Sequence, residues 1–400
     1  MIKRISMDDL KPGMFVSSFD LSWFKHPFVS TRLGVVRDQG LINELRKLGI
    51  SHVEIDTELC AAGKARPEPQ ARRKEPAKPL RTCPPETDPE RSAWFARRLF
   101  DQAMTATRSI MDSVRAGNPV RIEEIKPLIA RLVDSVHQNE SVLHIIVSLK
   151  SYDDYTYTHS LNLAALGVLL GKCLGLAQTD LAMLGLAGIL HDVGKCLVPR
   201  EIVAKPGPLT KEEFEAVKRH PGLAHDYLSR QGDIPAPVLR AVMEHHERLD
   251  GSGYPHGLTG GDIHPFSSII SVADVYDALT SDRVYRTRMS PHTALRVLFN
   301  QRGQAFPEPM VDMLIKRLGV YPAFSLVQLR NGCYAQVTRQ TPGRPLFPEV
   351  VVFCDGERRP LVRRRLDTWR LCGELCRKEY EIERPVEPGE MPAPVPTGMA

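Results

Sequence analysis

Leu181-Ala182-Met183-Leu184-Gly185-Leu186-Ala187-Gly188-Ile189-Leu190 runs as ten uncharged residues straight into His191-Asp192-Val193-Gly194-Lys195. The run lacks the strict alternation of a half-buried strand, and it reads as a helix buried on most sides, as does Leu161–Leu170 upstream. An imidazole beside a carboxylate then interrupts the apolar helix where Gly194 permits a turn. Buried polar groups of this kind are costly without a partner.

The same period of 3.6 dominates residues 91–319. Trp94, Leu99, Met104, Ile110 and Val114 mark one long helix ending near Gly117-Asn118-Pro119, and helices continue through Ile122–Val147. The chain is therefore expected to be mainly α, with an all-helical region at 91–320 whose motif-bearing core is 150–320. Residues 1–60 mix a short alternating run, Phe15-Val16-Ser17-Ser18-Phe19, with a helix Leu41–Leu48 closed by Gly49 and a strand Ser51–Ile55, a small α+β module. Between 61 and 90, seven prolines and many charges predict a linker. Beyond Tyr321-Pro322 the runs Ser325–Leu329, Cys333–Thr338 and Val350–Phe353, with turns at Asn331-Gly332 and Asp355-Gly356, predict a small β-rich appendage over 321–384. Five prolines in 385–400 predict a disordered tail.

The net charge of +5 is matched by one window, 61–82, where seven basic residues face only Glu68 and Glu75. The rest of the chain is balanced, which argues against a globally basic nucleic-acid surface, so neither DNA nor RNA is expected as a partner. The apolar stretch Leu161–Gly171 stops at Lys172, short of the roughly 17–25 residues of a membrane helix, so no membrane insertion is expected. The start Met1-Ile2-Lys3-Arg4, reaching Asp8-Asp9 at once, has no apolar core of a signal peptide. Eight cysteines without paired CxxC motifs then read as reduced thiols in a cytoplasmic protein. The arginines at 358, 359, 363, 364 and 365 read as an exposed basic strand or turn.

The helical region also holds His159, His191-Asp192, His220, His245-His246 and Asp274. Imidazole and carboxylate are ligands for zinc, iron or manganese. Singly, a histidine is more often a surface or hydrogen-bonded core residue. Here His245-His246 closes the apolar run Val238–Met243 and precedes Asp250-Gly251-Ser252-Gly253, and a shared cation would satisfy the whole set together.

The ordered motifs His159-Ser160, His191-Asp192-Val193-Gly194-Lys195, Lys205-Pro206-Gly207-Pro208-Leu209-Thr210, Lys218-Arg219-His220-Pro221, His245–Pro255 and Ala273–Thr280 resemble the HD-GYP family of bacterial HD-superfamily phosphodiesterases. Lys11–Val16 and Trp23–Phe28 resemble the small N-terminal domain of unknown function that precedes a subset of that family. The resemblance implies an HD-type helical catalytic domain and hydrolysis of the second messenger cyclic di-GMP to linear pGpG and on to GMP. It implies that His159, His191, Asp192 and Asp274 form the core site, that His220, His245 and His246 hold a second ion, and that Asp192 bridges. Iron is the characteristic metal and manganese the alternative; the ligands alone do not select between them. Asp192 and Lys195 would be catalytic, Lys195 by stabilising charge on the scissile phosphate. Lys195, Tyr254, Asp277, Arg283 and Arg286 would contact the substrate. Some members bind a third ion through a glutamate four residues before the first histidine; Tyr155 stands there, which implies two ions and accumulation of pGpG. The N-terminal module and linker would answer to a signal or a partner protein. His225, His256, His264 and His292 fit no ligand position, and His26, His52, His137 and His144 lie outside the matched stretch. The rival expectation is a metal-containing receptor or interaction module that binds a cyclic dinucleotide without turnover.

Overall fold

The N-terminal module comprises β1 (Ile2–Ser6), β2 (Val16–Phe19), α1 (Gln39–Lys47) and β3 (His52–Asp56). β3 is the central strand and pairs antiparallel with both others. Val53 and Ile55, two residues apart, share one face of the sheet and meet Ile42 of α1 in a small apolar cluster with Met7, Leu10, Val16 and Val36. In this computed structural model the described residues are 2–19, 36, 39–47, 52–57, 83, 89–139, 141–149, 155–205, 207–281, 288–341, 343–387 and 390–391. Most of the stretch read as a linker lies outside them. The exceptions lie toward its C-terminal side: Cys83 packs against the helical core, and Pro89 opens a helix.

That helix, α2 (Pro89–Arg115), begins the helical body, followed by α3 (Lys126–Gln138), α4 (Ser141–Ser148), α5 (Tyr155–Cys173) and α6 (Gln178–Leu190). A 3-10 turn at Val193–Leu197 leads to α7 (Arg200–Val203), α8 (Lys211–Lys218), α9 (His220–Ser229) and α10 (Ala236–Glu244). The body closes with α11 (Pro265–Thr280), α12 (Pro291–Asn300) and α13 (Glu308–Leu318). One apolar core spans α2 to α13. Trp94 does not belong to it: the buried stripe of α2 runs through Phe95, Leu99, Ile110 and Val114, and Trp94, one position off that stripe, is 53% exposed with the Arg98 guanidinium 5.2 Å over its ring. α5 and α6 are apolar on nearly all sides because they cross in the middle of the body. A Cβ at Gly188 would overlap the backbone of Ala164, so glycine there is what allows the two helices to approach. Termini follow local chemistry, as at α8, where Thr210 and Glu213 form a reciprocal capping box. No described helix is long and apolar enough to cross a membrane.

The appendage is a five-stranded antiparallel sheet of β4 (Leu326–Leu329), β5 (Tyr334–Arg339), β6 (Glu349–Cys354), β7 (Pro360–Asp367) and β8 (Ile382–Val386), ordered β7-β6-β5-β4-β8. The first three strands and the Asn331-Gly332 turn fall where the hydrophobic runs place them, with Gly332 at φ +84°. β7 is the exposed arginine strand, and solvent on both faces of an edge strand leaves no hydrophobic period to read. β8 corrects the predicted tail. Val386 is fully buried, and the Glu387 carboxylate accepts from the Ser290 amide at 2.9 Å, the Ser290 hydroxyl at 2.8 Å and the Thr293 hydroxyl at 2.5 Å, closing the N-terminus of α12. Further on, Met391 is also buried. Proline counting failed there because Pro385 sits on an edge strand, which tolerates it. Residues 392–400 lie outside the described set.

Candidate metal centre

Five segments of the helical body converge on one point. α5 contributes His159 from its second turn, and α6 ends so that His191 is its C-cap, followed by Asp192. His220 opens α9, His245 is the C-cap of α10 with His246 beside it, and α11 contributes Asp274. None of the seven is more than 7% exposed. Gly194 makes the convergence possible, because a Cβ there would overlap the carbonyl oxygen of His220. No other residue type lets the turn after Asp192 press against the start of α9.

The ligand atoms form two overlapping groups, each within 4.8 Å: Asp192 with His220, His245 and His246, and Asp192 with His159 and His191. The two carboxylate oxygens divide between them. Oδ1 lies 3.2 Å from His220 Nε2 and 3.9 Å from His245 Nε2, while Oδ2 lies 3.2 Å from His191 Nε2 and 4.0 Å from His159 Nε2. Asp274 adjoins both, with Oδ1 3.1 Å from His159 Nε2 and Oδ2 3.8 Å from His246 Nδ1.

The protons on these rings can be assigned from their partners. Nδ1 of His191, His220 and His245 each lies 2.8 Å from a main-chain carbonyl three residues back, that of Gly188, Val217 and Val242. A carbonyl only accepts, so each Nδ1 carries the proton and each neutral ring turns a lone pair at Nε2 toward the cluster. Burial lowers the pKa of His220 and, further, of His245 and His246, which keeps them neutral at pH 7. His220 Nε2 and His245 Nε2 are nevertheless 3.3 Å apart. Two lone pairs at that distance, beside a carboxylate oxygen, repel unless a cation lies among them. Nε2 of His191 and Oδ1 of Asp192 are also buried without a hydrogen bond. The residues present thus fit divalent metal ions.

Burial alone would raise the pKa of Asp192, but the Lys195 ammonium beside it holds it well below the carboxylate range. Burial alone would lower that of His159; hydrogen bonds to Asp274 and Asp277 outweigh it and push His159 up to about 9. Asp274 is lowered in turn, chiefly by His159 against the opposing effect of burial.

The remaining expected residues divide. Lys195 Nζ donates to Asp192 Oδ2 at 2.6 Å. The Tyr254 ring stacks on His246, centroids 4.6 Å apart, and its amide donates to the His246 carbonyl at 3.3 Å. Gly253 allows this return of the chain, since a Cβ would overlap the backbone of residues 246–248. Arg283 and Arg286 lie outside the described residues. Asp277 is a correction. Rather than facing a substrate it is fully buried behind His159, with Oδ2 accepting from His159 Nδ1 and Oδ1 from Asn162 Nδ2, each at 2.8 Å. It lies one turn from Asp274, so the two carboxylates of α11 face the two nitrogens of one imidazole.

Asn162 was not singled out from sequence, nor were Glu244 and Glu247, which hold the loops around the histidine pair. Glu247 accepts from the amides of His256 at 2.7 Å and Leu258 at 3.0 Å, and Glu244 from the amide of His264 at 2.9 Å and the hydroxyl of Ser267 at 2.8 Å. Both are buried acids beside ligands, and that context was the available signal. His225, His264 and His292 make local contacts with Asp226, the Phe266 amide and the Val320 carbonyl and join neither group.

Asp277→Asn should weaken metal binding about 10- to 100-fold, the scale for partners that orient a ligand histidine. The amide cannot accept from both His159 and Asn162, so the ring loses its fixed tautomer. Competition against a chromophoric chelator measures this, and wild-type affinity in the variant would refute the orienting role.

Comparison with known proteins matches two parts of the chain. Residues 142–308 match the HD domain family, and residues 2–125 match a domain of unknown function, DUF3391. The second match crosses the proline-rich stretch and takes in all of α2. The chain is 35% identical over 358 residues to "Cyclic di-GMP phosphodiesterase PA4108" of Pseudomonas aeruginosa, covering 88% of this chain and 85% of that one. It is 41% identical over 150 residues to "Cyclic di-GMP phosphodiesterase response regulator RpfG" of Xanthomonas campestris pv. campestris, 37% of this chain and 39% of that one. Over 184 residues it is 40% identical to "3'3'-cGAMP-specific phosphodiesterase 1" of Vibrio cholerae, 46% of this chain and 42% of that one. With its buried histidine–aspartate cluster and its GYP turn stacked on that cluster, the chain belongs to the HD-GYP family of HD-domain phosphodiesterases, in the subset that carries a DUF3391 domain ahead of the HD domain.

Proposed function

We propose that the protein hydrolyses cyclic di-GMP to linear pGpG in the bacterial cytoplasm, using two divalent ions, both iron, with manganese as the alternative metal. The observation that carries this reading is the paired lone pairs of His220 and His245 at 3.3 Å, facing an aspartate whose two oxygens serve two separate histidine groups. His159, His191, Asp192 and Asp274 would hold one ion and His220, His245 and His246 the other, with Asp192 between them. Such a pair, when bound, lowers the pKa of water and polarises a phosphoryl oxygen. The chain's own part is to orient and to neutralise. Lys195, held at Asp192, is placed to meet charge developing on the scissile phosphate. Tyr254 walls the site, and Arg283 and Arg286 would supply further phosphate or guanine contacts. The DUF3391 module would carry the regulatory signal.

Two ions rather than three follow from Tyr155, the first residue of α5, which stands one turn before His159. A neutral phenol offers no carboxylate to a further ion. Anaerobically prepared, metal-loaded protein should contain two ions per chain and turn cyclic di-GMP into accumulating pGpG, with 3'3'-cGAMP as the competing substrate in the same assay. Tight binding without product would instead establish a receptor. Three well-occupied ions would overturn the dinuclear reading, and rapid conversion to GMP would overturn only the product.

A further inference from the structure

Two lysines approach the cluster at different depths. Lys195 reaches Asp192 itself. Lys218, two residues before His220, stops one ring short: its Nζ lies 5.8 Å from the centroid of Tyr254, whose ring stacks on His246, and 5.1 Å from that of Phe214. Its ammonium pairs with Glu215 at 2.8 Å, and the two side chains are 30% and 56% exposed. A pair that open to water contributes only about 0–1 kcal/mol, so a phosphate can displace the glutamate. A cyclic dinucleotide carries two phosphates on opposite sides of one macrocycle. A site that holds one at its ions leaves the other displaced along the wall, and that second charge needs its own cation.

Resting on the hydrolase reading above, we propose that Lys218 binds the second, non-scissile phosphate of the cyclic dinucleotide. The side chain suits the task. A lysine is a compact point charge on a flexible stem and can follow a phosphate that moves as the ring opens, where an arginine fork would fix it in one orientation. The contact also separates a cyclic dinucleotide from a simple phosphodiester, which has no second phosphate to offer.

The test compares full-length, metal-loaded protein with its Lys218→Met and Lys218→Arg variants on cyclic di-GMP and on bis(p-nitrophenyl) phosphate, a diester with a single phosphate. The ratio of kcat/KM for cyclic di-GMP to that for the simple diester should fall about tenfold in Lys218→Met, the scale of one hydrogen bond to a charged group, with KM carrying the loss and Lys218→Arg recovering most of it. Equal losses on both substrates would show that the lysine acts on the metal centre through Tyr254, and an unaltered ratio would reduce it to packing; either result overturns the proposal. The dissociation constant of cyclic di-GMP is measured alongside. If the unsubstituted chain binds without turnover, the hydrolase reading fails, and a tenfold weaker complex in Lys218→Met still upholds the phosphate contact while an equal one refutes it. No binding by the unsubstituted chain overturns both.

Discussion

Asp192→Ala is expected to empty both halves of the cluster at once. Bound metal falls to background, and turnover of cyclic di-GMP falls by more than about 1000-fold, beyond the loss from one preorganised donor. One carboxylate faces His220 and His245 with one oxygen and His191 and His159 with the other, so its removal takes a ligand from each group. Among the described residues it is the carboxylate that belongs to both groups, and its removal leaves mutually repelling lone pairs. The folded protein holds Asp192 well below the carboxylate range. A depressed pKa contributes stability above the unfolded value of about 4 and loses it as pH falls through the folded value. At pH 7 the variant therefore also loses that contribution, and circular dichroism must accompany the metal assay. A well-folded Asp192→Ala protein that keeps one full equivalent of metal would show that the two groups do not share this residue.

Lys195→Ala separates chemistry from metal binding. The variant should keep its metals, or load them at lower free concentration, because the ammonium competes with a cation for Asp192 Oδ2 at 2.6 Å. Turnover should nevertheless fall about 100- to 1000-fold, the usual loss for one positioned donor to developing charge. Single-turnover rates with saturating cyclic di-GMP, read beside metal content, distinguish the two effects. If the metal leaves with the lysine, its role is to hold Asp192 in place.

Much of the site was legible in the chain because its ligands interrupt apolar helices, and that is an unusual place for imidazole and carboxylate. All seven expected ligands meet in space. What sequence could not separate is a carboxylate that faces the cluster from one that faces its back. Asp274 and Asp277 share a face of α11, and only the position of His159 between them assigns one to each nitrogen. Asn162 was illegible for a related reason, since its partner is that hidden carboxylate. In the fold, buried helices announced themselves by composition, while β7 was legible only as an exposed basic strand or turn and β8 not at all. A strand wetted on both faces and a strand containing proline have no period to detect, and both depend on a neighbouring strand already in place.

The carbonyls of Gly188, Val217 and Val242 belong to the last turns of α6, α8 and α10, where main-chain oxygens have no partner within their own helix. A histidine just beyond each end takes up one of them with its Nδ1 proton. Stopping the helix and aiming the lone pair are therefore one event. Neither His191 nor His245 can rotate or exchange tautomer without giving up its hydrogen bond to a main-chain oxygen in a dry interior, so the directions of these donors are tied to the backbone that ends there. Such a cluster needs only histidines placed after helix ends that already converge, with no new scaffold.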